Sequence, residues 1–318
     1  PAGDTLSLGY RLNLQETSTE LNYDKLSTLS EGSSASITNI SYCFAADYNS
    51  PADWGEPLWI ENPDASAGAP RFLVLDDIKA AADDLSANGT SSTYYSMYKG
   101  MLDRQVMTNG NPGEGPYFHL KVEGAVGGYL DLQLIGICQD TKSDGSGKAG
   151  LTFQTRDIYA YKNTKSIAAG GSTFNYTYMN SVNTNSGGWA SYAMRNALRT
   201  TFWGYLPERM QMAIVGVDKH HQLYGGSSAS YLQKTTDETI WLPSSYEVFG
   251  VSFANYNESE TLTNVSGYEP FQYIAYQGSS SSTVNNRAVK TYDGSVLEWW
   301  LRSADRSGTV YCSIILSN

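Results

Sequence analysis

The apolar positions of this 318-residue chain change period as the sequence advances. In RFLVLDDIKAAADDL (71–85), Leu75, Ile78, Ala82 and Leu85 fall on one stripe and Asn88-Gly89 follows, which predicts a helix and its stop. TSSTYYSMYKGMLDRQV (90–106) predicts a second helix, with Ser91 or Ser92 as cap and Tyr95, Tyr98 and Leu102 on one face. From 117 the period falls to two. YFHLKVEG and GYLDLQLIGICQD alternate around a Gly-rich turn and predict a hairpin, and LTFQTRDIYAY predicts another strand after the polar turn DTKSDGSGKAG. Met194, Leu198 and Phe202 in SGGWASYAMRNALRTTFWGYLP return to helical spacing. Pro207 suits the first turn of a short helix, and MAIVGV (212–217) reads as a strand.

The ends carry a weaker pattern. Residues 1–70 are rich in Ser, Thr, Asn and Gly, with short β-like pieces at Ser7–Leu14 and Ser36–Ala45, and close on the Pro/Gly-punctuated PADWGEPLWIENPDASAGAP. They read as a small β-rich module or attachment arm before a domain spanning 71–318. Beyond 250, Ser, Asn, Tyr and Gly dominate until EWWLRSADRSGTVYCSIILSN (298–318). Adjacent tryptophans on an extended backbone point to opposite sides. In the strand that follows, Val310, Cys312 and Ile314 share one face, and Thr309, Tyr311 and Ser313 the other. The fold class expected is therefore α+β.

Composition narrows the function classes. The chain has 24 tyrosines, 30 glycines and only 17% charged residues, a mixture suited to β-rich, loop-rich extracellular or virion proteins. A formal net charge of −11 repels phosphate backbones, so nucleic acid is not an expected partner. No stretch approaches the ~18 apolar residues of a membrane span, and no membrane insertion is expected. PAGDTLSLGY has neither the basic nor the apolar region of a signal peptide. Either a leader has been removed, or the protein leaves its cell by another route, as a phage structural protein does on lysis. Cys43, Cys138 and Cys312 have no metal-ligand spacing and read as buried free thiols, with at most one long-range disulfide.

Each chemistry-bearing motif has a structural explanation. DTKSDGSGKAGL puts Asp140, Asp144 and Gly145 at calcium-loop positions one, five and six, but Lys142 and Leu151 stand where further ligands belong, so it reads as a solvated turn. Gly145-Ser146-Gly147-Lys148 has the wrong spacing for a phosphate loop. His119 lies in an alternating strand, and His220-His221 reads as a surface pair in a loop. No serine occupies a nucleophile elbow. Ser244 and Glu247 make the S-x-x-E of a capping box, which places a helix start there and explains both residues without chemistry. No catalytic residue, metal or cofactor is expected.

Four segments in order, NTNSGGWASYAMRNAL, YLPERMQMAIVGV, TTDETIWLPSSYEVFG and EWWLRSA, resemble an uncharacterised domain family of gut Firmicutes and their phages over roughly 90–304. IGICQDTKSDGSGKAGLTFQ is similar to an earlier segment of that family. The W-L-P-S-x-x-E and W-W-L-R-S motifs are in turn similar to those of C-type-lectin-like domains and formylglycine-generating-enzyme folds. The resemblance implies helices on twisted antiparallel strands with long loops. It implies core roles for Trp189, Met194, Leu198 and Phe202 on a helix, and for Trp241, Leu242, Trp300 and Leu301 on strands. Arg302 would reach a buried carboxylate or carbonyls. Family members continue to a closing G-V-x-P-x-F segment that does not follow Ser317-Asn318 here, an expectation of a divergent or missing last strand. Calcium-lectin motifs are absent; the formylglycine-generating enzymes use a reactive cysteine pair close to the C-terminus, where here only Cys312 lies, with different neighbours, so that catalysis is not expected.

Variable proteins of diversity-generating retroelements share this fold and build their ligand face near the C-terminal strand. By that likeness, Thr309, Tyr311 and Ser313, the turn Asp305, Arg306 and Ser307, and the loop residues Tyr268, Tyr273 and Tyr276 form the expected binding face. The implied protein is a non-enzymatic adhesin or phage receptor-binding protein, on a virion or cell surface. Its partner would be a host-surface protein or glycan, and it would be a homo-oligomer or sit among virion proteins. The alternative is a structural virion or surface-assembly subunit with a decorative lectin-like domain.

Overall fold

The computed structural model describes residues 14–16, 19–21, 50–64, 70–104, 115–159, 179–180, 186–223, 232–249, 290–292, 295–297, 299–304 and 312–314. The chain divides into two compact units, Pro1–Glu56 and Pro57–Asn318. In the first, β1 (Leu14–Glu16) pairs antiparallel with β2 (Thr19–Leu21). A single helical turn, Pro51–Trp54, is held by a reciprocal cap between Ser50 and Asp53. Ser36–Ala45 and most of Ser7–Leu14 lie outside the described residues.

The division falls at 56/57 and not at 70, because β3 (Leu58–Glu61) belongs to the main sheet of the second unit. That sheet has five antiparallel strands in the order β4 (Phe72–Val74), β3, β5 (Phe118–Lys121), β6 (Tyr129–Ile137), β7 (Leu151–Thr155). The expected hairpin is β5–β6, in register from Phe118↔Leu132 to Lys121↔Tyr129. Alternation holds on β3, β4 and β5: Leu58 and Ile60, Leu73, Phe118 and Leu120 point into the core while the residues between them and at the strand ends stay half-exposed or exposed. Two helices cover the core face, α1 (Leu75–Asn88) through Leu75, Ile78, Ala81 and Leu85, and α2 (Tyr95–Arg104) through Tyr98, Met101 and Leu102. RFLVL is not helical throughout, since Phe72–Val74 joins the sheet edge before α1 begins. Asp77 caps α1 by accepting from the Val74 amide at 3.1 Å, and Gly89, at φ 55°, ends it in a conformation that favours glycine.

The polar turn after β6 is solvated only at its tip, Asp144–Gly147. Its base is docked on α1: Ser86 donates to the Lys148 carbonyl at 2.6 Å, and the free thiol of Cys138 donates to the Leu85 carbonyl at 3.1 Å. Gly150 permits this approach. A Cβ there would stand 2.0 Å from the Ala82 carbonyl oxygen, a backbone atom that cannot rotate away. Gly150→Ala is therefore expected to lower the unfolding free energy by about 2 kcal/mol or more through overpacking, read from urea-unfolding midpoints. An unchanged midpoint would contradict the packing described.

After β7 the chain is helical in short pieces. A turn at Gly188–Ser191 leads to α3 (Ala193–Ala197), a wider π turn continues through Phe202, and Trp203–Tyr205 closes the run. Trp189, Met194, Leu198 and Phe202 are all buried along it. Next comes α4 (Glu208–Ala213), directly after Pro207. MAIVGV is thus no strand. Its first residues complete α4, whose end is closed by the Ile214 amide on the Met210 carbonyl, and the strand starts only at Val217. A six-residue apolar run does not distinguish helix from strand by period alone.

The strand β8 (Val217–Gln222) pairs antiparallel with β9 (Leu232–Glu238), and α5 (Ser245–Phe249) follows. The chain then contributes two hairpins, β10 (Lys290–Tyr292) with β11 (Ser295–Leu297) and β12 (Trp300–Ala304) with β13 (Cys312–Ile314). Helices and antiparallel sheets together make the protein α+β.

Candidate functional site

Segments far apart in the sequence converge on four charged side chains, Asp140, Lys219, Glu247 and Arg302, none more than 2% exposed. Lys219 lies on β8, where Val217, Lys219 and His221 alternate into the interior. Its ammonium binds Asp140 and reaches Glu247 at 3.1 Å, and it stands 3.5 Å from the centre of the Trp241 indole. Arg302 lies on β12. It binds Glu247, and it donates to the His220 carbonyl at 3.0 and 3.1 Å and to the Leu242 carbonyl at 2.8 Å. The order is acid, base, acid, base, with no net charge. Isolated, any of these ions would be untenable in a dry interior; alternated and hydrogen-bonded, they tie β8, the 241–244 segment, α5 and β12 together.

Glu247 is the hub. It closes the capping box as the sequence implies, with Glu247 Oε2 accepting from the Ser244 amide at 2.9 Å and Ser244 Oγ accepting from the Glu247 amide at 3.1 Å. Its carboxylate also serves both cations. Burial opposes its charge, but Arg302 and Lys219 overcome that and hold its pKa down at about 2. It is an anion at any physiological pH and has no proton to donate. Asp140 is likewise bound on both oxygens, to Lys219 and to the Thr152 hydroxyl at 2.6 Å. It is therefore not part of a solvated turn: the buried ammonium draws it inward.

A third buried carboxylate, Glu238, owes its position to a bulge. On β9, Thr235 and Glu238 are both buried although three residues apart, because Asp218 alone of β8 faces both Thr236 and Asp237 of β9, and Asp237 takes φ 57°. Glu238 accepts from the Arg195 Nε at 2.6 Å and from the Trp189 indole at 3.4 Å, with Arg199 at 3.6 Å. Between these clusters and α1 lies a cavity of about 450 Å³. Leu75, Ile78, Leu198, Phe202 and Trp299 are among its apolar lining, and Trp241 lines it beside Lys219.

The histidine pair is a correction. His220 and His221 sit on β8, not in a surface loop; His221 is 1% exposed and His220 half-buried. Burial, with Arg302, Arg195 and His220 nearby, pushes the His221 pKa down to about 3, so it is a neutral ring. Trp241 and Leu242 lie on the irregular segment before α5, not on a strand, and both are half-buried. Of the paired tryptophans Trp299 is buried, and Trp300, expected in the core, is half-buried at the start of β12. Arg302 has the carboxylate and carbonyl partners expected of it. Tyr268, Tyr273, Tyr276, Asp305, Arg306, Ser307, Thr309 and Tyr311 lie outside the described residues, and Ser313 is described only as part of β13. Among the described residues no three His, Cys, Asp or Glu side chains gather as a metal site.

No curated protein and no solved structure matches the chain. A family model does, from Phe153 in β7 to Ile315 just after β13, a span that holds Lys219, Glu238, Glu247 and Arg302 and leaves Asp140 outside. By that match over half its length, the chain belongs to the family of the domain of unknown function (DUF6273).

Proposed function

We propose that the chain is a non-enzymatic ligand-binding protein of C-type-lectin-like architecture, borne on a phage virion or bacterial surface, that engages a host-surface protein or glycan. The observation that carries this reading is the self-neutralised network: Asp140, Lys219, Glu247 and Arg302 bind one another in the interior. Groups so paired fasten a scaffold; they do not attack, protonate or polarise a substrate. The tryptophan-bearing segments then serve to hold loops in place, and recognition falls to the loops. The face proposed for it is Tyr268, Tyr273, Tyr276, Asp305, Arg306, Ser307, Thr309, Tyr311 and Ser313.

Fluorescently labelled full-length protein, applied to a panel of gut Firmicutes isolates, is expected to stain at least one. Tyr276→Ala with Tyr311→Ala is expected to abolish staining while leaving the thermal unfolding midpoint unchanged. Staining that survives both substitutions overturns the assigned face. Regular self-assembly in sedimentation without any staining overturns the binding reading in favour of a structural subunit.

A further inference from the structure

The five-stranded sheet has a second face, turned away from α1 and α2, and its side chains form an ordered row. Register places Val74, Trp59, His119 and Asp131 directly across β4, β3, β5 and β6, and the Arg156 amide joins the row by donating to the Asp131 carbonyl at 2.8 Å. The Trp59 and His119 rings lie 4.1 Å apart at 30°, with Phe72 and Tyr129 edge-on to Trp59 at 5.5 and 6.3 Å. His119 Nδ1 contacts the Asp131 carboxylate at 2.9 Å, and Arg156 lies 3.5 Å from its other oxygen while covering the Tyr117 ring. The side chains of His119, Asp131 and Arg156 remain 30%, 34% and 37% exposed.

We propose that this face binds neutral polysaccharide. Four aromatic side chains already packed on one another present apolar surface that need not be ordered on binding. Beside them lie a carboxylate and a guanidinium held in place by neighbours, acceptors and donors for the hydroxyls at a sugar's edge, while its C–H faces cover ring surface. The His119 hydrogen bond and Arg156 hold the Asp131 carboxyl below its ordinary range, so it stays an acceptor. Charge selects the ligand. The acids of this face are each matched by a base, Asp131 by Arg156 and Glu61 by Arg71 at 3.7 Å. Lys121, two residues from His119 on the same face of β5, adds one base; a single such charge, on a chain of net charge −11, gives a phosphate or uronate polymer little to bind. The inference does not rest on the C-terminal loops.

The test is native electrophoresis of the full chain in gels containing a soluble glucan, mannan or xylan. At least one polysaccharide is expected to retard the protein. Trp59→Ala and the isosteric Asp131→Asn are each expected to weaken retardation at least tenfold, with unchanged circular dichroism for Asp131→Asn. Tyr276→Ala with Tyr311→Ala is expected to leave it intact, which separates this face from the loop site. The proposal is overturned if no polysaccharide retards the protein, or if retardation is the same in both the Trp59 and Asp131 variants. It is equally overturned if single-stranded DNA or self-association, and not polysaccharide, is what Trp59→Ala abolishes.

Discussion

Arg302→Met is expected to lower the unfolding free energy by about 3–5 kcal/mol, a large part of the roughly 5–15 kcal/mol that holds a domain folded. Arg302 is fully enclosed, and its guanidinium serves Glu247, the His220 carbonyl and the Leu242 carbonyl at once. Removing it leaves two carbonyls short of a donor. It also leaves two buried carboxylates facing one buried ammonium. The charge imbalance is the larger effect, and it can be isolated. Glu247→Gln keeps a side chain able to close the capping box but removes the negative charge. Added to Arg302→Met, it leaves Lys219 and Asp140 as a balanced pair. The double variant is therefore expected to recover at least about 1 kcal/mol over Arg302→Met alone, a coupling visible in urea-unfolding midpoints. A loss below about 1 kcal/mol in the single variant, or a double variant as unstable as the sum of two singles, would mean the network does not bind these segments together.

The parts legible in the sequence are those in which side-chain type and side-chain position agree. β5 and the first residues of β6, Tyr129 to Leu132, alternate apolar and polar as they alternate in and out, and α1 carries its leucines on the side that meets the sheet. Arg302 was readable through a likeness in which a guanidinium sits among tryptophans. The charged site was hidden because it inverts the usual pattern. VDKHHQ buries Lys219 and His221 and leaves Asp218 and His220 less enclosed, so its alternation resembles that of a loop. Glu238 is buried through a bulge, which breaks the period of two on which strand reading depends. Asp140 stands in a polar turn, and its partner Lys219 is 79 residues away. Glu247 was visible as a cap, and that sufficient explanation concealed its second role. The one signal at hand was Val217 and Lys219 two apart, followed by a histidine at the next inward position.

His221 supplies a second large effect, and it acts through pH. Both its ring nitrogens lack a hydrogen-bond partner among the described residues, and its pKa lies near 3 where an ordinary histidine has 6.5. Above pH 6.5 the ring is neutral folded or unfolded, and stability does not depend on it. Below 6.5 the unfolded chain takes up a proton that the folded chain refuses. Stability then falls by about 1.4 kcal/mol per pH unit until the folded pKa is reached. Glu247 acts later: its carboxyl, near 2 when folded against an ordinary 4.5, gives stability that is complete above 4.5 and lost only below it. Between pH 6.5 and 5, His221 thus titrates without Glu247, losing about 2 kcal/mol. His220, half-buried beside Arg302 and also held below its ordinary value, adds to the loss in the same direction. His221→Leu removes the buried ring nitrogens along with the proton uptake. It is expected to be neutral or stabilising at pH 7.5, where an apolar group replaces an unsatisfied polar one. At pH 5 it should exceed the parent by about 2 kcal/mol. Urea unfolding of both proteins across this range gives two slopes; parallel slopes would show that the proton is taken up elsewhere.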